Sequence, residues 1–198
     1  KVMHKKQQNF VLYGPKLDAY HRDQWRTDYP PEKAEFLQKI MKMCATGGID
    51  FGFSISPGKD FRFDSQEDYD IIVRKLLIAI EWGVSSVAVL MDDIARSLED
   101  KYKTTFGTIG RAQSHLVQTI KTQVETQLAK TQPDKKLTWM FCPTHYRGNE
   151  WEHKKKTKEA EEKVKYWEEI NREIPLDVMF LFTGHAVVAS TVTNEYAK

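Results

Sequence analysis

Cysteine is scarce: Cys44 and Cys142 are the only two in 198 residues. Two distant thiols cannot build a disulfide framework or a tetrathiolate zinc site. Such sparing use, with no Asn-x-Ser/Thr acceptor in the sequence, fits a reducing compartment. No apolar run approaches the roughly 18 residues a membrane-spanning helix needs, so no membrane partner is expected. Neither sign of charge dominates, with 30 Lys+Arg against 28 Asp+Glu. A dedicated nucleic-acid binder would carry a strong basic excess, so that class is set aside too. The first ten residues, KVMHKKQQNF, begin basic but lack the apolar stretch of a secretory signal. What is abundant is core-forming material: 40% of residues are hydrophobic and 12% aromatic. That is too much for a disordered chain, and the length suits one domain.

The apolar residues fall into five repeats of one unit: a short strand, a polar turn, then a helical stretch. The expected strands are Phe10–Gly14, Asp50–Ile55, Ser85–Met91, Leu137–Phe141 and Val178–Phe182. Most are near-continuous apolar runs, the pattern of parallel strands covered on both faces. Between them, Pro31 opens a helix carrying Phe36, Leu37, Ile40, Met41 and Cys44, with Gly47 and Gly48 as its stop. Ser65 and Asp68 resemble a capping box ahead of Ile72, Leu76 and Ile80, with a stop at Gly83. A third helix spans about Thr108 to Lys130, with Leu116, Ile120, Val124 and Leu128 on one face. The last helix is rich in charge, with Val164, Trp167 and Ile170 as its expected buried stripe. Its leading run, Lys154 to Lys158, reads as solvated rather than as a binding patch.

Strands alternating with helices imply βαβ units and right-handed crossovers. No Gly-x-Gly-x-x-Gly or Gly-x-x-x-x-Gly-Lys-Ser/Thr follows any strand, so a nucleotide-binding doubly wound sheet lacks its signature. The predicted fold class is therefore α/β, a (β/α)8-type TIM barrel. The repeat recurs about every 42 residues, so eight units need roughly 340 residues, and residues 1–198 form one partial domain of five consecutive units. In such a barrel the active site lies just past the carboxyl ends of the strands.

Those ends read Gly14-Pro15-Lys16, Ser56-Pro57-Gly58, Asp92-Asp93, Cys142-Pro143-Thr144-His145-Tyr146 and Thr183-Gly184-His185. Turn chemistry explains the Pro and Gly content, but not two adjacent carboxylates directly after the most apolar strand. Restricted solvent and mutual charge disfavour ionising both. The pair then divides into a general acid and a negative charge; capping the next helix is the plainer alternative. No spaced His/Asp/Glu set accompanies the pair, so no metal is expected. Lys16 is aimed by a strand and a rigid Pro, and Tyr146 offers a phenolic donor. Cys142 reads as a small packed group with no sign of an activating partner, and His145 and His185 as structural or peripheral.

These motifs together resemble the catalytic domain of family 84 glycoside hydrolases. That family comprises β-N-acetylglucosaminidases, including the nucleocytoplasmic O-GlcNAc hydrolase and bacterial relatives, some described as hyaluronidases. The matching stretches are YGPKLDAYHRDQWRTDYP (13–30), FSISPGKD (53–60), VAVLMDDI (87–94), FCPTHYRG (141–148) and FTGHAVVAS (182–190). The resemblance implies a retaining reaction in which the sugar's own 2-acetamido oxygen attacks the anomeric carbon, giving an oxazoline. Asp92 corresponds to the carboxylate that orients the acetamido nitrogen, and Asp93 to the general acid that later acts as base. Lys16, Tyr146, Cys142, Gly14, Thr183 and Val187 fall at sugar-binding positions. No cofactor is implied. The substrate would be O-GlcNAc on Ser or Thr of proteins, with hyaluronan or another glycan as the alternative. An inactive GlcNAc-binding or scaffold module is the alternative of another class. Localisation follows the substrate: nucleocytoplasmic for a protein O-GlcNAcase, secreted for a glycan-directed relative. Leu17, His145, Phe182 and His185-Ala186 depart from the family pattern, which bears on the leaving group accepted. The family's first strand, and the later strands that grip the sugar hydroxyls, are expected before residue 1 and after residue 198. Without them the sheet edges call for cover by a second copy of the chain or a complementing segment.

Overall fold

The computed structural model describes residues 8–57, 60–92, 94–148, 157–184 and 186–191. All five expected strands form: β1 (Phe10–Tyr13), β2 (Asp50–Ile55), β3 (Ser86–Leu90), β4 (Thr138–Cys142) and β5 (Val178–Phe180). They make one sheet in the order β1-β2-β3-β4-β5, with every neighbouring pair parallel. Parallel neighbours cannot be joined by a hairpin, so the chain crosses back through α1 (Pro31–Thr46), α2 (Gln66–Glu81), α3 (Asp100–Phe106) with α4 (Ile109–Thr131), and α5 (Lys158–Glu173). The strand order never reverses, unlike that of a doubly wound sheet.

Successive strand residues alternate between faces, and the register makes each face explicit. Tyr13, Phe53, Val87, Trp139 and Val178 form one cross-strand row. Ile55, Val89, Phe141 and Phe180 form the next row on that face. The core joins these strand residues to Leu76 and Ile80 of α2 and to Leu116, Ile120 and Val124 of α4. Each such side chain withdrawn from water contributes about 1.5–3 kcal/mol. The opposite face carries smaller groups in its central rows, Gly52 beside Ser86, and Ser54 beside Ala88.

Local signals mostly act as expected. Pro31 occupies the first turn of α1, and Gly48 (φ 67°) and Gly83 (φ 105°) follow the ends of α1 and α2 in a conformation that favours glycine. Thr108 caps α4 through its side chain, accepting from the Arg111 N–H.

Four details differ from expectation. The capping box is half-formed: the Asp68 N–H donates to Ser65 Oγ at 3.4 Å, but the Asp68 carboxylate turns to Arg26 and Arg62 instead. A carboxylate offered two guanidinium forks gains more than it would from one backbone N–H. The stripe of α5 is also rotated, with Tyr166 and Ile170 buried and Val164 and Trp167 only half-buried. Trp167 sits against Phe180 and Phe182, at the sheet's outer strand, with ring centroids 5.6 and 6.2 Å away. Strand β5 is short, although the Leu181 N–H continues its ladder to the Phe141 carbonyl at 2.8 Å. Helix α3, stopped by Gly107 (φ 73°), was not anticipated. Lys154 to Lys156 lie outside the described residues, while Lys158 stands exposed.

Candidate active site

Because all strands run the same way, their carboxyl ends share one edge of the sheet, and the motif-bearing turns collect there. The most direct link is between the first and third units. Lys16 Nζ lies 3.8 Å from Asp92 Oδ2, the lysine side chain 65% exposed and the aspartate 19%. An exposed pair of this kind is weak in itself. Its importance is that it puts a cation and a carboxylate side by side on an open edge. Asp93 and His185 lie outside the described residues.

Between these two ends runs β2, and Gly14 is shaped by it. A Cβ on Gly14 would stand 2.9 Å from Ser54 Oγ and 3.3 Å from Leu90 Cδ1. Ser54 cannot yield cheaply, since its hydroxyl donates to the Tyr13 carbonyl at 2.6 Å. Gly14 is therefore required by packing, whether or not a ligand approaches it. Gly14→Ala is expected to destabilise the protein by about 1–3 kcal/mol. Adding Ser54→Ala should recover part of that loss, measured as the coupling between the two in urea unfolding. Equal loss in single and double variants would mean that the clash is relieved elsewhere.

The residues from 14 to 30 form no helix or strand, yet buried polar groups hold them firmly. Asp18 accepts from Tyr13 Oη at 2.6 Å, Tyr29 Oη at 3.0 Å and the Tyr20 N–H at 3.0 Å. Burial alone would raise its carboxyl pKa; these hydrogen bonds and the nearby Lys33 ammonium outweigh it and hold the group ionised. His21 is buried with Nδ1 donating to the Ser54 carbonyl at 3.0 Å, and burial pushes its pKa down, keeping the ring neutral. Lys75, from α2, reaches the carbonyls of Tyr20, Trp25 and Thr27 at 2.7, 2.7 and 2.8 Å. Arg26 and Arg62 both grip the fully buried Asp68 carboxylate. Burial opposes its ionisation, but the two guanidinium groups dominate and hold it well below the usual carboxylate range. Lys16 is thus carried on a loop anchored from three sides.

The fourth and fifth ends pair with each other beyond their strands. The Thr183 N–H donates to the Tyr146 carbonyl at 3.0 Å, and the Gly148 N–H to the Gly184 carbonyl at 2.9 Å. Gly184 has φ 80°, which bends the chain after β5. The Thr183 hydroxyl donates to the Ala186 carbonyl at 2.6 Å, so it is engaged within its own turn. Val187 follows, half exposed at 52%. Cys142 is the last residue of β4, half-buried, in register with Leu90; its carbonyl accepts the Met91 N–H at 2.8 Å. His145 packs edge-on against Tyr166, with centroids 4.7 Å apart, in keeping with a structural role.

The predicted residues therefore fall into linked groups. Lys16, Gly14 and Asp92 adjoin across β1 to β3, Cys142 abuts the Asp92 turn through the backbone, and Tyr146 pairs with Thr183. Val187 stands at the exposed end of the last loop. Among the described residues no group of three or more His, Cys, Asp or Glu is placed to hold a metal ion. The anchoring roles of Asp18, His21 and Lys75 escape sequence reasoning, and Asp68 reads there only as a helix cap. Their partners lie on other elements, and a lone charge in a helix reads as solvent-facing.

Comparison with known proteins gives one consistent result. A family model described as beta-N-acetylglucosaminidase (NAGidase) matches residues 1–198. The protein O-GlcNAcases of Rattus norvegicus and Mus musculus are each 33% identical over 140 residues, which is 71% of this chain. The chain spans only 14% of the length of those relatives. Among solved structures, an O-GlcNAc hydrolase mutant of Thermobaculum terrenum shares the fold with a TM-score of 0.81 at 24% identity, covering 98% of this chain and 38% of that one. CpGH84B matches at 25% identity with a TM-score of 0.72, covering 99% of this chain and 32% of the other. With five strand-end motifs in order on a parallel sheet and the family match running from end to end, this chain belongs to the beta-N-acetylglucosaminidases, family 84 of the glycoside hydrolases.

Proposed function

We propose that the protein is a retaining, exo-acting β-N-acetylglucosaminidase that removes O-linked GlcNAc from Ser or Thr of proteins. In this reading residues 1–198 form a single partial domain, five consecutive units of an eight-unit TIM barrel. The outer edges of β1 and β5 would be covered by its remaining strands or by a complementing chain. The observation that carries the reading is the Lys16–Asp92 pair, a cation and a carboxylate meeting across the ends of β1 and β3.

The chemistry needs few protein groups because the substrate brings its own nucleophile. The 2-acetamido oxygen attacks the anomeric carbon and the bond to the leaving oxygen breaks. Asp92, ionised, takes the hydrogen bond from the acetamido N–H and offsets the positive charge that develops on the oxazolinium. Asp93 protonates the departing oxygen, then removes a proton from water as the hydroxyl opens the oxazoline from the same face. Two displacements at one carbon give net retention. Lys16 binds a sugar hydroxyl, Tyr146 and Cys142 bound the acetamido pocket, and Gly14, Thr183 and Val187 line its approaches. No cofactor enters any step.

Rates on a GlcNAc-bearing glycopeptide and on hyaluronan oligosaccharides, with the full protein, test the substrate. Faster turnover of the glycopeptide is expected, and the reverse preference would transfer the assignment to glycans. Tight binding of an oxazoline-mimicking thiazoline is expected as well. Its absence from a cooperatively folded protein would mean a scaffold rather than an enzyme.

A further inference from the structure

Asp92 and Asp93 follow Met91 in the chain, and the backbone of Met91 is held at both ends by hydrogen bonds to the fourth unit. Its N–H donates to the Cys142 carbonyl at 2.8 Å, continuing the β3–β4 ladder. In a parallel ladder the next rung would run from the Thr144 N–H to the Met91 carbonyl. That rung is absent in this form. The Thr144 N–H instead donates to Tyr166 Oη at 3.0 Å, and the Thr144 hydroxyl occupies the vacated place, 2.9 Å from the Met91 carbonyl. Pro143, just before, has no N–H to offer. A side chain thus takes over from the backbone at the point where the sheet ends and the aspartate turn begins.

The substitution is supported by a closed ring of hydrogen bonds. The Met91 carbonyl can only accept, so the Thr144 hydroxyl donates to it and accepts from Gln113 Nε2 at 2.7 Å. That fixes the Gln113 amide with its oxygen towards Tyr166, whose hydroxyl donates to it. Tyr166 Oη then accepts from the Thr144 N–H. Gln113 of α4, Tyr166 of α5, Thr144 and Met91 are all buried, and every donor and acceptor in the ring is used in one direction only. A buried network closed in this way favours a single geometry.

Resting on the proposed glycosidase reading, we propose that Thr144, locked by Gln113 and Tyr166, is the positioning residue that fixes the Met91 peptide, from which Asp92 and then Asp93 follow in the chain. It touches no reacting atom; it fixes the peptide from which the pair departs, and small misplacements of catalytic groups cost large factors in rate.

The test uses the full protein and the ratio of kcat on two aryl β-N-acetylglucosaminides, one with a phenol and one with a dinitrophenol leaving group. The ratio does not depend on how much of a variant is folded. Thr144→Val keeps the shape but removes the hydroxyl. A misaimed acid should slow the phenyl substrate, which needs protonation, by about 10-fold more than the dinitrophenyl substrate, which does not. Thr144→Ser should restore the wild-type ratio. Tyr166→Phe, which opens the ring from the far side, should move the ratio in the same direction and serves if the valine variant fails to fold. An unchanged ratio in the folded variants, or a serine variant as shifted as the valine one, overturns the positioning role. Asp92→Asn is run in parallel. If it leaves activity intact the glycosidase assignment of this turn fails, whereas a dead Asp92→Asn beside unshifted Thr144 and Tyr166 variants removes the positioning role alone.

Discussion

Asp92→Asn is expected to lower kcat/KM on an aryl β-N-acetylglucosaminide by about 10²–10³-fold, the usual effect of removing one preorganised electrostatic partner of a transition state. The amide keeps the size of the side chain and its place at the end of β3, but carries no negative charge. In the proposed reaction positive charge would develop on the acetamido group as its oxygen attacks, and a carboxylate in this place, unlike the amide, would oppose it. Lys16 makes the same substitution informative in a second way. Its ammonium lies 3.8 Å from the carboxylate, so the asparagine variant leaves the lysine without that countercharge, and Lys16→Met in the Asp92→Asn background should then cost little more. Steady-state kinetics on the single and double variants provide the check. Additive losses would mean that the two act on separate parts of the substrate. Near-normal activity of Asp92→Asn would remove it from the chemistry.

The second large effect concerns stability. Lys75→Met is expected to destabilise the protein by about 3–5 kcal/mol, the range for removing one partner of a buried charged network. The methionine fills similar space but abandons three carbonyls, those of Tyr20, Trp25 and Thr27, each of which Lys75 now serves within 2.8 Å. An orphaned buried acceptor costs about 1–3 kcal/mol; the Trp25 carbonyl is buried and those of Tyr20 and Thr27 are partly so, and together they account for the effect. Burial pushes the Lys75 ammonium down to about 8, so at neutral pH it is mainly charged and supplies all three donors. Urea unfolding at pH 7 reads the loss directly. A change below about 1 kcal/mol would mean that the loop can rehydrate its carbonyls without the lysine. Since the same loop carries Lys16, the variant should also lose affinity for the thiazoline while still folded.

Much of this was legible in advance because the information is local. A strand such as SVAVL is apolar on both faces and flanked by turn residues, so its identity and direction of burial are written in consecutive positions. The same holds for Pro31 opening α1, Thr108 capping α4 and Gly83 following α2. The strand-end motifs are likewise contiguous, so Lys16, Asp92, Tyr146 and Thr183 stand out as candidates in consecutive residues. What escaped was of another kind. Helix α3 has seven residues, too few for a periodic stripe to stand out. The stripe of α5 differs by part of a turn from its sequence pattern, because Trp167 packs against the sheet's outer strand, whose position consecutive residues do not give. Asp68 reads as half of a capping box because Ser65 lies three positions away, whereas one of its partners, Arg26, lies 42 positions away.

The chain's own order of residues determined the five strands, their helical crossovers, the end of the sheet on which polar groups gather, and the family to which they belong. Each depends on neighbours within a few positions, where propensity, periodicity and turn chemistry act. Tertiary structure alone decided which polar groups are buried together: Lys75 beneath a loop some 50 positions earlier, Gly14 against Ser54, and Thr144 between Gln113 and Tyr166. A buried hydrogen bond depends on direction and on a few tenths of an ångström. Both are set only after the helices have packed on the sheet, so no reading of consecutive residues could have supplied them.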